Sequence, residues 1–571
     1  MLGSQLLLLA AAIASTVLAA PSPRLAKRTS PNEPPPVIDL GYHRVQGYLN
    51  STDSQYWWKG IKYASADRFQ APRTPAKHTT AVYNATAYGS ICWQAAEGST
   101  NLNGPKPVAN FRTGQQSEDC LYLNVNAPAG SCEGSNLPVL VWIHGGGYAA
   151  GSAARGSDFA EFITNAGGGI VAVEIQYRLG PFGFLAGQET ADFGALNAGL
   201  LDQQFALQWV QEHISKFGGD PSHVTIWGES AGAGSVLNQI VANGGNTQKA
   251  LGLPRPLFEG AIGSSIFLPT QVEYDSPIAE AIYRNLSDFV GCSNASQGSF
   301  PCLQATDAAT LAYAGLNLSE AAPKGYWTYV PVLEGPGGFL QKRATLLLDQ
   351  GYKNLNGQKF LGINNQDEGY IFTDMSIKND TTTDKTQLSQ QFNTILSGLF
   401  PLFTQAQIEK VAQEYPISDA PTKGNTFDRI KNIIADSTFV CPTYWTAEAF
   451  KSNAFKGIFD YGPATHGSDV AWYQGMIWNG QHSVTAENSF AGSFEGFIQT
   501  YNPNNNPATN INPHWPPFTT GEELLFNQTA RSTLSKADPS IVKESSIMVY
   551  GTTQKAKCDF WRGSISVNAG L

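Results

Sequence analysis

The sequence predicts an α/β fold in which a large, mostly parallel central sheet carries helices on both faces. Short runs of β-branched and aromatic residues recur along the chain, and segments with apolar residues at helical spacing separate them. Strands that alternate with helices in this way form parallel sheets that are covered on both faces. The chain is 571 residues long and 42% hydrophobic, so it can bury the core that such a sheet needs.

From about residue 38 the predicted elements follow one another without a long linker or an internal repeat. The apolar runs predicted as strands cover residues 139–143, 170–175, 224–227, 259–263, 359–363 and 457–461. A helix is predicted over 200–217, because its apolar residues keep helical spacing until Gly218-Gly219-Asp220-Pro221 ends it. A second helix is predicted to begin at Ala231. In such a sheet, chemical groups belong at the carboxyl ends of the strands.

The first 37 residues are predicted to lie outside the folded domain. Residues 1–19 form an apolar, Ala-rich stretch ending in small residues, which is typical of a signal peptide; a membrane anchor is the alternative. Residues 20–37 are Pro-rich and are expected to be a pro-segment or a disordered N-terminus. Within them, Lys27-Arg28 is either a processing site or an exposed basic pair. Residues 38–571 are predicted to form one domain of an extracellular protein.

Charge and residue spacing restrict the classes of partner. The formal net charge of −10 disfavours binding to nucleic acid or to anionic membranes. No apolar run beyond the N-terminal stretch approaches the length of a membrane span, so no stable membrane anchor is expected. No pair of cysteines or histidines has the spacing of zinc ligands, and neither a metal nor another cofactor is predicted.

Two further features fit passage through the secretory pathway. Seven cysteines in a secreted chain predict a disulfide framework with one cysteine left over. N-glycosylation sequons occur at Asn50, Asn84, Asn285, Asn294, Asn317, Asn379 and Asn527. Each sequon alone is only a candidate site, but together with the apolar N-terminus they favour secretion.

The pentapeptide Gly228-Glu229-Ser230-Ala231-Gly232 is the most informative motif of the chain. It lies between the strand at 224–227 and the helix beginning at Ala231, so Ser230 is predicted to sit on a tight turn that lifts its hydroxyl clear of the sheet. The N-terminus of that helix offers backbone N–H groups and the positive end of a dipole to an oxyanion. Glycine and serine are common in ordinary turns, but this context favours Ser230 as a nucleophile.

A serine nucleophile needs a neighbouring base, and His466 is the strongest candidate. In doubly wound hydrolases the chain order is nucleophile, acid and base, which leaves His466, His482 and His514 among eight histidines. His466 follows the predicted strand at 457–461, whereas His482 and His514 lie in polar stretches with no strand before them. An ordinary loop histidine is the alternative interpretation of His466.

The base needs a carboxylate, and the reaction needs N–H donors for an oxyanion. Asp367 and Glu368 follow the strand at 359–363; their chemistry does not decide between them, and a helix cap is the alternative role. The run His144-Gly145-Gly146-Gly147 follows the strand at 139–143 and can expose several N–H groups, although glycine runs also form flexible turns.

Several motifs together resemble the type-B carboxylesterases, which include cholinesterases, fungal lipases and secreted fungal esterases. The resemblance spans roughly residues 38–565 and rests on segments 68–69, 117–125, 177–181, 197–203, 217–221 and 228–232. It implies the α/β-hydrolase fold and a catalytic domain, with Ser230 as nucleophile, Glu368 as acid and His466 as base. It also implies that the N–H groups of Gly146, Gly147 and Ala231 form the oxyanion hole.

The resemblance implies structural pairs as well. The implied disulfides are Cys92–Cys120, Cys292–Cys302 and Cys441–Cys558, with Cys132 outside the bridges. The implied buried ion pairs are Arg68 with Glu118 and Arg178 with Asp202. The sequence departs from the family after His466-Gly467, because residues 470–474 are only loosely similar, so the acyl or alcohol side of the pocket is expected to differ.

The leading functional prediction is a secreted carboxylesterase, a serine hydrolase that cleaves small carboxylic esters through an acyl-enzyme on Ser230. The alternatives are a triacylglycerol or sterol-ester lipase of the same family and a non-catalytic cell-surface recognition protein, which the filled triad positions disfavour. The loop between Cys92 and Cys120 is a predicted lid, and its polar residues favour soluble esters over lipid droplets. These lid residues include Glu97, Asn101, Asn103, Lys106 and Gln115. The sequence does not indicate an oligomeric state.

Overall fold

The fold is built on one sheet of 11 strands, parallel through its centre and antiparallel at its edges. The computed structural model describes residues 34–77, 81–100, 116–154, 159–418, 424–474, 484–505, 513–519, 521–528, 543–549 and 551–563. The strands are β1 (Ile38–Asp39), β2 (Arg44–Gln46), β3 (Tyr48–Asn50), β4 (Gln55–Lys62), β5 (Val82–Asn84), β6 (Tyr122–Pro128), β7 (Leu137–Ile143), β8 (Val171–Ile175), β9 (Gly219–Glu229), β10 (Gly260–Ser264), β11 (Lys359–Asn365), β12 (Ala454–Asp460), β13 (Glu522–Gln528) and β14 (Lys543–Val549). Strands β1, β2 and β5 form a separate small sheet.

Helices cover both faces of the large sheet. The α-helices are α1 (Ala160–Asn165), α2 (Gly180–Phe184), α3 (Gln188–Phe193), α4 (Ala198–His213), α5 (Ala231–Gly245), α6 (Thr247–Ala250), α7 (Pro277–Phe289), α8 (Ser299–Ala305), α9 (Ala308–Ala321), α10 (Ala344–Leu348), α11 (Lys385–Leu399), α12 (Gln405–Glu414), α13 (Asn425–Ile434), α14 (Cys441–Phe450), α15 (Val470–Tyr473), α16 (Val484–Thr500) and α17 (Thr552–Arg562). A π-helical turn, Ala435–Val440, joins α13 to α14.

Strand order places the predicted site loops side by side. The order in the large sheet is β14-β13-β12-β11-β10-β9-β7-β8-β6-β4-β3. Pairing is parallel from β8 through β7 and β9 to β13, and antiparallel at both edges. Parallel strands bring their carboxyl ends to one edge of a sheet. The loops after β7, β9, β10, β11 and β12 therefore meet at that edge.

The central strands are apolar on both faces because each face packs against its own layer of helices. Val141 of β7 belongs to the larger hydrophobic cluster, whereas its neighbour Trp142 belongs to the smaller one on the opposite face. In the smaller cluster, Trp227 of β9 stacks on Phe494 of α16 with ring centroids 4.7 Å apart. This burial on both faces explains why the runs are continuously apolar rather than alternating.

The predicted boundaries differ from the structure in instructive ways. The helix predicted over 200–217 is α4 followed by a 3₁₀ turn, Ile214–Phe217, and Gly218 ends it with a φ of 95°. The strand predicted at 457–461 begins at Ala454 in the structure. The prediction begins too late because the charged Lys456, which lies inside β12, interrupts the apolar pattern. Strands β4 and β6, in the antiparallel part of the sheet, lie outside the runs that the sequence predicts as strands.

Disulfides and ion pairs in the structure match those that the resemblance implies. The disulfides join Cys92 to Cys120, Cys292 to Cys302 and Cys441 to Cys558, and Cys132 lies outside them. Arg178 binds both carboxylate oxygens of the fully buried Asp202, at 2.8 and 2.7 Å. Arg68 binds both oxygens of Glu118 in the same way, but the side chain of Glu118 is 33% exposed, so this second pair is not buried as expected. In the described part of the chain, no helix is long and apolar enough to cross a membrane.

The bridge between Cys441 and Cys558 is expected to contribute most to stability, because its cysteines are 117 residues apart in sequence. Replacing both cysteines with alanine should lower the free energy of unfolding by roughly 4–5 kcal/mol in the chain-entropy model. Denaturant unfolding of the purified variant measures this change.

Cys132→Ser is the matched control, and it should change the free energy of unfolding by less than about 1 kcal/mol. Equal losses in the control and in the double variant would contradict this account of the cysteines.

Candidate active site

Ser230 lies on a sharp turn between β9 and α5. Its φ of 58° and ψ of −126° belong to neither element, and its N–H donates to the carbonyl oxygen of Ser264 at 2.9 Å. The turn requires close packing, because a Cβ at Gly232 would overlap the carbonyl oxygen of Ile143. A strained residue that its neighbours hold this firmly is typical of a functional site.

Backbone N–H groups suited to an oxyanion occur in the turn after β7 and at the start of α5, both of which adjoin Ser230. Gly146 and Gly147 follow β7 with φ values of 106° and 65°, and Ala231 is the first residue of α5. Among the described residues, nothing accepts a hydrogen bond from these three N–H groups. Gly146 and Gly147 line the same cavity as Ser230, so their N–H groups can serve a ligand bound there.

Glu368, rather than Asp367, contacts His466. Glu368 is fully buried, and its Oε2 lies 2.5 Å from Nδ1 of His466. Its Oε1 accepts hydrogen bonds from the Ser265 hydroxyl at 2.5 Å and from the Asn365 N–H at 2.6 Å. Asp367 turns the other way and pairs with Nζ of Lys431 at 2.9 Å. The structure therefore separates two adjacent acids that the sequence left equivalent.

Aromatic rings hold the imidazole of His466 in place. The ring centroids of Phe372 and Phe439 lie 4.9 and 4.4 Å from that of His466, and Phe439 belongs to the π-helical turn. Nε2 of His466 makes no hydrogen bond to a described residue and lies 3.3 Å from Oε1 of Glu229. His466 and Ser230 face the same cavity.

Buried carboxyl groups around His466 shift each other's pKa values. Burial raises the pKa of Glu229 to about 8 against the opposing effect of His466, and it raises the pKa of Asp469 to about 6. Burial alone would lower the pKa of His466, but the charges of Glu368 and Glu229 outweigh it and hold this pKa above its usual value. Carboxyls that face an imidazole favour its protonated form.

The cavity has a volume of about 670 Å³ and largely apolar walls. Phe267, Leu316, Trp327, Ile371 and Phe372 form much of its apolar lining, and Glu97 and Glu320 add carboxyl groups to it. Glu97 forms an ion pair with Lys324. Among the described residues no cluster of His, Cys, Asp or Glu is arranged to hold a metal ion.

The segment in which the sequence departs from the family contributes to this cavity. Residues 470–473 form the short helix α15, and Val470 and Ala471 line the cavity beside His466. Tyr473 is buried and packs on Trp227 with ring centroids 4.5 Å apart. The loosely similar residues therefore form part of the pocket wall.

Other predicted sites lie elsewhere or outside the described residues. His514 is described but does not line the cavity, whereas His482 and the lid residues Asn101, Asn103, Lys106 and Gln115 are not described. Four sequon asparagines are exposed, namely Asn84, Asn285, Asn294 and Asn379. Asn50, Asn317 and Asn527 are half-buried.

Sequence reasoning missed three polar residues of the site. Ser265 directly follows β10, and this position at the carboxyl end of a strand was a usable signal. Glu229 lies inside the pentapeptide, where it was given no role. Asp469 is buried three residues after His466 and accepts from the side chain of Asn365 at 2.9 Å; no local pattern marked it.

Comparison with known proteins identifies the family of the chain. The model of the carboxylesterase family matches residues 34–561. The chain is 33% identical to Secreted lipase 1 of Botryotinia fuckeliana over 80% of this chain and 82% of that protein. It is 27% identical to Carboxylesterase patB of Aspergillus clavatus, over 92% and 96% of the two chains.

A solved structure extends the agreement to the fold. The crystal structure of Aspergillus niger EstA is similar with a TM-score of 0.77 and 27% identity, over 94% of this chain and 99% of that one. The chain belongs to the carboxylesterase family and is a carboxylic ester hydrolase with the α/β-hydrolase fold.

Proposed function

We propose that this protein is a secreted carboxylesterase whose nucleophile, base and orienting acid are Ser230, His466 and Glu368. One observation carries the proposal: Glu368 lies 2.5 Å from His466, and His466 faces the cavity that Ser230 and the Gly146–Gly147 turn also line. Serine, imidazole, carboxylate and N–H donors in one apolar cavity are the parts that acyl transfer needs.

In the proposed reaction, Oγ of Ser230 attacks the ester carbonyl carbon while Nε2 of His466 takes the hydroxyl proton. The carbonyl oxygen becomes an oxyanion that accepts hydrogen bonds from the N–H groups of Gly146, Gly147 and Ala231. Nε2 returns the proton to the leaving alcohol as the C–O bond breaks. Water then attacks the acyl-enzyme with His466 again as base, which releases the acid and restores Ser230.

The geometry of His466 supports this role without a substrate present. Nδ1 faces Glu368, so Nε2 is the nitrogen that faces the cavity. Catalytic hydrogen bonds in unliganded enzymes are often long and shorten in the Michaelis complex. We therefore expect the hydrogen bond between Ser230 and Nε2 to form when an ester binds.

Small esters with short or medium acyl chains are the proposed substrates. A cavity of about 670 Å³ with largely apolar walls suits such a chain. Triacylglycerol hydrolysis is the second candidate, because the relative from Botryotinia fuckeliana is named a secreted lipase. Secretion is supported by the apolar residues 1–19 and by the name of the same relative.

Glu368→Gln should abolish most activity, because the amide keeps the shape of the side chain but not the charge that stabilises the imidazolium. Single-turnover acylation by p-nitrophenyl butyrate is expected to slow by about 10³- to 10⁴-fold. Asp367→Asn is the matched control and should slow it by less than about tenfold, since Asp367 pairs with Lys431 at the partly exposed edge of the site.

The reverse result would assign the orienting role to Asp367. In that case the acylation rate would fall strongly in Asp367→Asn, while Glu368→Gln would react about as fast as the unmodified protein. Large and equal losses in two folded variants would contradict a single orienting acid.

The pH dependence should reflect the raised pKa of His466. Only neutral imidazole accepts the proton of Ser230, so kcat/KM should fall as the pH drops through a midpoint above about 6.5, the ordinary value. Initial rates between pH 4 and pH 9 measure the midpoint; a midpoint below about 6.5 would contradict a raised pKa of His466.

Substrate form should distinguish an esterase from a lipase. For an esterase, the rate on p-nitrophenyl butyrate should saturate below the solubility limit of the ester, and emulsified tributyrin should give no sharp increase at the onset of the emulsion. Titration of released acid across that onset makes the measurement. A several-fold jump in rate at the onset would favour the lipase alternative.

A further inference from the structure

Lys456 is a fully buried charged residue in the middle of β12. Its Nζ lies 3.2 Å from Oε2 of Glu523 on β13, which is only 2% exposed. The hydroxyl of Tyr444 on α14 donates to the same carboxylate at 2.7 Å. None of the steps proposed for ester cleavage uses this buried ion pair.

The ammonium of Lys456 also reaches toward the acid that contacts His466. Nζ donates to Oδ1 of Asn364 at 2.6 Å, across the parallel pairing of β12 with β11. Asn364 is followed by Asn365, whose N–H donates to Oε1 of Glu368 at 2.6 Å. Side-chain and backbone groups at the end of β11 thus connect Lys456 to Glu368.

A second set of contacts closes this polar network. The side chain of Asn364 donates to the carbonyl oxygen of Asn365 at 2.9 Å. The side chain of Asn365 donates to Ser265 at 3.2 Å, and Ser265 donates to Glu368 at 2.5 Å. A network in which each member holds the next fixes its members more firmly than separate pairs would.

We propose that Lys456 is a positioning residue for the ester-cleaving site: it fixes Asn364 and the end of β11, and its positive charge supports the ionised Glu368 beside His466. The inference rests on the proposed role of Glu368 as the orienting acid. Lys456 touches neither the cavity nor Ser230, so it acts only through Asn364, Asn365 and the electric field at Glu368.

Stability alone gives a weak reason for an ion pair at this place. Removing two charges from water costs several kcal/mol per ion, and apolar pairs of similar size are often as stable. The orientation of the pair indicates a different reason. Lys456 lies between Glu523 and Asn364. Of the two charges in the ion pair, the positive one is therefore on the side of Glu368, and the negative one is on the far side. Burial lowers the pKa of Lys456, while the charges of Glu523 and Glu368 oppose that effect.

The titratable groups around both ends of the network determine the direction in which the pKa of His466 should shift. His466 is faced by Glu368, Glu229 and Asp469, and its other close neighbours are the rings of Phe372 and Phe439. Lys456 is faced by Glu523 and Tyr444. When the ammonium of Lys456 is removed, no positive charge at this place offsets the negative field of the carboxyls around His466. The imidazolium then becomes more stable, and the pKa of His466 rises.

Lys456→Met tests the proposal in the full-length protein with p-nitrophenyl butyrate. The acid limb of kcat/KM should move to higher pH by roughly half a unit to one unit, because one nearby charge is lost. We expect kcat to fall about tenfold while KM changes less than about twofold, because the substitution affects the orienting acid and not the ester pocket.

Two further variants separate positioning from folding. Tyr444→Phe removes a neutral contact to Glu523 and should leave the acid limb where it is in the unmodified protein. In Lys456→Met/Glu523→Leu an apolar pair replaces the ion pair, which should restore thermal stability. The acid limb of this double variant should still lie at higher pH, although by less than in the single variant.

The outcomes are distinct. An acid limb that stays in place in the double variant overturns the proposal, and so does a fall in kcat without a limb shift in folded Lys456→Met. If Lys456→Met does not fold, the double variant decides. If the unmodified protein does not cleave the ester at all, the proposed function fails instead, whatever the variants do.

Discussion

The backbone conformation of Ser230 is the constraint on which the rest of the site depends. A φ of 58° costs a non-glycine residue of the order of 1–3 kcal/mol, and it persists only where the surroundings require it. Here the neighbouring strand β10 accepts the N–H of Ser230, and α5 approaches β7 so closely that position 232 has no room for a side chain. Three central elements thus hold the hydroxyl at the edge of the sheet.

Adjacent strands supply the other groups in order. Across β7, β9, β10, β11 and β12, the following loops carry the Gly146–Gly147 turn, Ser230, Ser265, Glu368 and His466. Neighbouring strands lie about 4.8 Å apart, so the sheet itself sets the separation of these groups. Functional groups placed at the ends of rigid elements hold their geometry better than groups on long loops.

The sequence predicts the parts of this arrangement that follow directly from an apolar strand. Ser230 and His466 come a few residues after such runs, and the strand ends locate them without knowledge of tertiary contacts. The choice between Asp367 and Glu368 is different, because it depends on Lys431, which lies on α13 far along the chain and binds one of the two acids. Local pattern contains no information about that contact.

The same reasoning explains the start of β12. A lysine inside a strand predicts an exposed edge or a loop, but Lys456 is buried because its partner, Glu523, comes from β13. The two residues are far apart in sequence, and the pair exists only once the sheet is assembled. Buried polar networks of this kind are therefore where single-sequence prediction fails, and in this fold they lie next to the site.

The π-helical turn Ala435–Val440 accommodates one extra residue between α13 and α14. A π turn holds one more residue than an α turn, and it continues directly into α14. Deletion of a single residue there would return the segment to α geometry and leave α13 and α14 in their present phase. The widened turn would be lost, and with it the position from which Phe439 packs on the ring of His466. This turn therefore tolerates substitution far better than a change in length.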